Sequence, residues 1–205
     1  MIITAMKERR RSVRSLLMET DRVEAFSDSV MAVIITLMAF ELRAPRGATL
    51  EAVRDQFPGL SVYVLSFVFI GIYWNNHHHL LRAADRISGA AMWANLFLLF
   101  WLSLMPVLTL WLRDEYTHPL PAAAYGAVAL AAAVSYTILV RTLIRANGRD
   151  SALAEAIGSD TKGYASLALY GAAVGLAFLS PWISYAIYVA VALMWFVPDR
   201  RFTRS

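Results

Sequence analysis

The sequence predicts an all-α membrane protein with six transmembrane helices per subunit, and three observations lead there. Hydrophobic residues make up 59% of the 205 positions and charged ones only 17%. Apolar runs of about 20 residues recur along the chain, each long enough to cross a hydrocarbon core. Lys and Arg collect between alternate runs, which is the signature of an oriented multi-pass chain.

The first span is expected at residues 23–42 and closes at Arg43-Ala44-Pro45-Arg46-Gly47. Residues 49–56 read as a short surface helix that ends before Pro58. The second span is expected at 60–81, the third at 90–112 and the fourth at 120–143. A polar loop over 145–161 precedes the fifth, 163–180, and Pro181 turns the chain into the sixth, 182–197. The last is short, about 24 Å at 1.5 Å per residue. The organisation is then a basic N-terminal segment, 1–20, a six-helix membrane domain, 21–198, and a basic tail, 199–205.

With the N-terminus inside, fifteen of the nineteen Lys and Arg fall on inner segments. That bias places both termini in the cytoplasm and the chain in the plasma membrane. Because the basic residues sit between apolar runs, topology rather than nucleic acid explains them, and the bilayer is the expected partner. The N-terminal segment lacks an apolar stretch followed by a small-residue cleavage site, so it does not read as a removable signal. The chain has no cysteine, which excludes disulfides and thiolate metal sites. His77-His78-His79 does not read as a metal site, since adjacent helical residues point about 100° apart. No phosphate loop, nucleophile elbow or zinc spacing is present, and no cofactor or catalytic residue is expected.

The most informative stretch is Arg22-Val23-Glu24-Ala25-Phe26-Ser27-Asp28, charged and hydroxyl groups running straight into an apolar helix. Ionisable groups in that setting are costly and are functional candidates. On a helical wheel Arg22, Phe26, Ser29, Val33, Thr36, Leu37 and Phe40 share one face, while Asp28 points well away from it. Such a stripe either meets lipid or another helix, or surrounds an axis shared by several copies, with apolar rings that dewet and a Thr36 ring that offers oxygens.

Asp28, His77 and Asn95 fall at a common depth, roughly 8–9 Å from the same membrane face at helical rise. Polar groups at one depth satisfy one another where lipid cannot. Arg22, Phe26, Ser27, Asp28, Trp74, His77 and Asn95, with Asn75 and Trp93 beside them, are therefore the expected interhelical network. A packing role and a role in transport both remain open for it.

At these residues the chain resembles the transmembrane protein 175 family of potassium channels, in its single-repeat bacterial form. The marks are Arg22-x-x-x-Phe26-Ser27-Asp28, Tyr73-Trp74-Asn75-Asn76-His77-His78, and Trp93-x-Asn95-Leu96 with Leu104-Met105-Pro106 beyond it. They cover the first three spans; the last three agree in number and length. The resemblance implies a homotetramer whose first helices line a central pore without a carbonyl filter. It implies a narrow apolar ring at Val33, with Thr36, Leu37 and Phe40 following outward. It also implies that Ser27 and Asp28 turn away from the ion path, and that the activity is a leak-type conductance for potassium and other monovalent cations. Two departures are Ser29, where the family usually has Gly, and Val33, where it usually has Leu or Ile.

Three rival readings accompany the channel. A proton-coupled transporter would use Asp28 and His77 as a protonation relay. A membrane enzyme would use the same pair as acid and base, but a nucleophile or metal beside them is missing. A structural subunit would not assemble around the first helix.

Overall fold

Each apolar run forms helix in the computed structural model, which describes residues 2–196, with side chains from Thr20 onward. The elements are α1 (Ile2–Phe40), α2 (Leu50–Arg82), α3 (Gly89–Ser103), α4 (Met105–Asp114), α5 (Pro119–Asn147), α6 (Ala152–Ile157), α7 (Thr161–Leu176) and α8 (Pro181–Phe196). Among the described residues there is no strand. The expected tail, 199–205, lies outside the described residues.

Four stretches are long and apolar enough to cross a membrane: Thr20–Phe40, Leu50–Arg82, Gly89–Asp114 and Pro119–Asn147. Helices α7 and α8 have 16 residues each, about 24 Å apiece.

Several boundaries differ from the sequence reading for identifiable reasons. The expected break at Pro58 does not occur, and α2 runs through it. Thr49 caps the helix by accepting from the Ala52 N–H at 3.2 Å, with Glu51 in the first turn. The turn is therefore nucleated well before Pro58. The Arg54 carbonyl that Pro58 leaves without a helical donor belongs to an exposed residue, where loss of the bond is cheap.

The third run is broken instead, at Leu104 between α3 and α4. Pro106 supplies no N–H, and its ring crowds the preceding turn, which closes with a short Leu104 N–H to Trp101 carbonyl bond of 3.2 Å. The loop after α5 holds a short helix, α6, capped by Ser151 and pinned by buried Leu153.

Helix α5 is the hub, packing against α3, α4, α7 and α8. It starts on Pro119 and ends at Gly148, whose φ of 99° suits a residue without a side chain. Asn147, its last residue, closes the α2–α3 turn with one amide. It donates to the Arg86 carbonyl and accepts from the Arg86 N–H, both at 2.9 Å. Buried Ala122, Ala123, Ala129, Ala132 and Ala133 let neighbouring backbones approach α5 closely.

Gly126 is the tightest point: a Cβ there would stand 2.3 Å from the Tyr188 hydroxyl oxygen. That hydroxyl donates to the Ala122 carbonyl at 2.8 Å and so fixes α8 on α5. A second interhelical cluster joins α1, α2, α4 and α5. Thr109 Oγ1 lies 2.8 Å from Ser66 Oγ, to which it donates, and 3.6 Å from Met38 Sδ. The Ser66 and Tyr125 hydroxyls are 3.2 Å apart.

Gly126→Ala is expected to destabilise the fold by about 1–3 kcal/mol, because the Tyr188 ring must move and surrender its bond. Thermal unfolding in detergent should show a lowered midpoint. Tyr188→Phe, which removes the clashing oxygen, should restore part of the loss in the Gly126→Ala background.

Candidate functional site

One residue of α3 carries the geometry that seats α1. Asn95 is buried, and its Nδ2 amide donates to Ser27 Oγ at 2.9 Å while its Oδ1 lies 2.7 Å from His77 Nε2. The Ser27 hydroxyl spends its single hydrogen on the Val23 carbonyl, 2.8 Å away in its own helix. Its oxygen therefore accepts from Asn95, which fixes the amide orientation. Asn95 Oδ1 then faces His77 as an acceptor, so Nε2 carries the histidine's hydrogen. The relay runs from α2 through α3 to α1, and Ser27 and His77 are fully buried with it.

Two acceptor atoms nearby are left over. His77 Nδ1 and Asp28 Oδ1 are both buried without a hydrogen-bond partner.

Glu24 organises a second cluster, one that the sequence reading passed over. Its Oε1 lies 2.6 Å from His78 Nδ1 and 3.8 Å from Arg82 Nε. Trp74 stacks on His78 with ring centroids 6.1 Å apart and planes 24° apart. Trp74, His78 and Arg82 recur every four residues on one face of α2, and that spacing was the available signal. Two polar ties thus hold α1 to α2, through His77 and through His78.

The other expected members of the network fall elsewhere. Arg22 and Phe26 are exposed, and Arg22 has no partner among the described residues. Both line a groove between α1 and α3 of about 520 Å³, whose wall includes Asn95. Asn75 and Trp93 are exposed as well. The three consecutive histidines diverge: His77 meets Asn95, His78 meets Glu24, and His79 packs edge-on against His78.

The opposite side of α1 is bare. Met31, Ile34 and Met38 are buried in the subunit, whereas Ser29, Val33, Thr36, Leu37 and Phe40 form an exposed stripe along the helix. Val33 is 56% exposed and Phe40 81%. The Ser29 and Thr36 hydroxyls turn their hydrogens back to the Ala25 and Ala32 carbonyls at 2.7 and 2.8 Å. Their remaining lone pairs are left without a partner inside the subunit.

The sequence profile described as "Endosomal/lysosomal potassium channel TMEM175" matches residues 22–106, which spans the relay, the Glu24 cluster and the stripe. A potassium channel of Chryseobacterium sp. (strain P1-3) is 43% identical over 188 residues, covering 92% of this chain and 98% of the relative. The chain belongs to the TMEM175 family.

A second relative, a potassium channel of Streptomyces collinus, is 34% identical over 187 residues, covering 85% of this chain and 90% of that one. The fold agrees with the crystal structure of a lysosomal potassium-selective channel TMEM175 homolog from Chamaesiphon minutus. The TM-score is 0.77 at 27% identity, over 90% of this chain and 98% of that one. Like its TMEM175 relatives, the chain is a multi-pass membrane protein.

Asn95→Leu keeps the volume and removes both bonds of the relay. It is expected to cost about 1–3 kcal/mol, since Ser27 and His77 are left buried without their partner. A double-mutant cycle of Ser27→Ala with Asn95→Leu, read from unfolding in bilayers, should give a coupling of roughly 0.5–2 kcal/mol. Strict additivity would mean that the two side chains do not hold each other.

Proposed function

We propose that this protein is a potassium channel: a leak-type, potassium-permeable cation channel in which four copies surround one axis. The observation that carries the reading is the bare stripe of α1, opposite the face held by the polar relay. A single subunit leaves Val33, Leu37 and Phe40 without partners on a helix otherwise firmly seated. Fourfold assembly around that helix gives those side chains neighbours and creates a pathway. The names of the TMEM175 relatives support potassium as the permeant ion.

In this reading six helices per subunit cross the plasma membrane and both termini are cytoplasmic. The α3–α4 pair acts as one crossing, and α7 and α8 complete the count. Val33 forms the apolar constriction, with Leu37 and Phe40 as further apolar rings toward the outside. Rings of this kind exclude water when narrow and conduct when wetted.

Ser29 and Thr36 are seven residues apart, two helical turns, with Val33 between them. Their hydroxyl hydrogens point back into the helix, so oxygen lone pairs face the passing cation on both sides of the constriction. The ion sheds part of its hydration at Val33 and meets oxygens before and after it. This arrangement uses no carbonyl filter. Ser27, Asp28, His77 and Asn95 set the position of α1 without touching the ion.

One observation favours a second reading, a proton-coupled transporter. Asp28 Oδ1 and His77 Nδ1 are both buried acceptors without a partner among the described residues, and each could take up a proton. A carrier of that kind would saturate with substrate and lose its pH dependence in Asp28→Asn.

The purified protein in a planar bilayer, with potassium on one side and sodium on the other, should pass a current reversing toward the potassium equilibrium potential. Val33→Asn is expected to wet the constriction and raise the current several-fold or more. Unchanged conductance in Val33→Asn, with control residing on another helix, would remove α1 from the pathway. Saturable, pH-driven flux abolished by Asp28→Asn would favour the carrier.

A further inference from the structure

Far from α1, helices α2, α5, α7 and α8 enclose an aromatic chamber that the conductance does not use. Phe69 stands at its centre, with ring centroids 4.9 Å from Tyr73, 6.3 Å from Tyr125 and 6.3 Å from Tyr170. Tyr136 and Tyr188 complete the wall, and their hydroxyls are spent on the Asn76 and Ala122 carbonyls at 3.2 and 2.8 Å. The Tyr125 hydroxyl is engaged with Ser66.

Two phenols remain. Among the described residues neither Tyr73 nor Tyr170 has a hydrogen-bond partner for its hydroxyl, and both residues line the chamber. Tyr170 is only 5% exposed. A buried phenol without a partner is expensive, so an acceptor in the chamber would offset the cost.

Leu65 and Ala192 line the chamber and also line an apolar groove of about 410 Å³ between α2 and α8, so the two spaces share these side chains as a common wall. The chamber itself offers about 50 Å³ to water-sized groups. At roughly 10–15 Å³ for each such group, it accommodates a few heavy atoms and not a phosphate headgroup. Among the described residues no charged side chain lines either space. Lys162 stands at the Trp195 ring, 5.8 Å from its centroid, and is not part of the lining.

We propose that the chamber and groove form one binding site for a neutral, single-chain amphiphile with a hydroxyl or carbonyl head. The chain lies in the groove between Val64 and Leu193, the oxygen passes Leu65 and Ala192, and Tyr73 and Tyr170 donate to it. A carboxylate is disfavoured because the walls supply no counter-charge in a low-dielectric setting. Tyr73 lies one turn before His77 on α2, so the occupant braces the helix from which the relay to α1 begins.

The probe is a diazirine-bearing hexadecanol, cross-linked to the full chain in lipid nanodiscs and mapped by peptide mass spectrometry. Labelling of α2 and α7 around Tyr73 and Tyr170 should saturate and be displaced by unlabelled hexadecanol. Ala192→Trp, which plugs the shared wall, should reduce it at least five-fold. The Tyr73→Phe, Tyr170→Phe pair keeps both rings and should weaken hexadecanol competition several-fold; it decides the matter if Ala192→Trp does not fold.

Unsaturable labelling, or labelling indifferent to these changes, means annular lipid contact only and overturns the site. Competition by palmitate equal to that by hexadecanol overturns the neutral head. The readout is binding, so a failed conductance assay leaves it unaffected.

Discussion

A buried asparagine is the constraint on which the architecture turns. Lipid offers no partner to a polar side chain, so Asn95 must be satisfied by protein, and it reaches α1 and α2 at once. Only one rotation of α1 puts the Ser27 hydroxyl against Asn95. That rotation also sends Met31, Ile34 and Met38 into the subunit and leaves Val33, Thr36 and Leu37 outside. Van der Waals contact between an apolar helix and apolar neighbours does not select a rotation so sharply, because neighbouring rotations bury similar side chains. The polar relay therefore settles which residues the helix presents, and the Glu24–His78 contact holds the same choice from α2.

The rest of the bundle is held by a different chemistry. Around α5 the helices meet through alanines and Gly126, and tyrosines bridge the remaining space with rings inside, the Tyr136 and Tyr188 hydroxyls reaching backbone carbonyls. Small residues bring the backbones close, while each phenol that reaches a carbonyl fixes one helix against another at a defined height. The result is two regions with separate tasks. The α1–α2–α3 face is specified by side chain to side chain hydrogen bonds, and the α5–α7–α8 region by packing and aromatic contact. The profile match stops at residue 106, just inside α4, and so covers the first of these regions.

Much of this was legible in the sequence. Apolar runs located the main helices, and a wheel separated the stripe of Val33 and Thr36 from the Asp28 side. Equal depth brought His77 and Asn95 together before any coordinates. What could not be read was reach. Arg22 is expected in the network but its side chain is exposed, whereas Glu24, which that network leaves out, meets His78. Pro58 reads as a terminator because propensity is local, yet a helix nucleated at Thr49, with exposed Arg54 supplying the carbonyl that loses its donor, tolerates it. Pro106, embedded in an equally apolar run, does interrupt its helix. Ser66, Thr109 and Tyr125 are too scattered to be recognised as one cluster, since their meeting depends on how three helices cross.

The interruption at Leu104 has a mechanical meaning. Helix α1 is held at Ser27 by Asn95 on α3 and meets Thr109 of α4 at Met38, near its end, and these contacts belong to segments on opposite sides of the break. A straight third helix would clamp α1 along one rigid rail. A jointed one separates the two contacts, and the interval of α1 that they bound, from Ser27 to Met38, contains Val33.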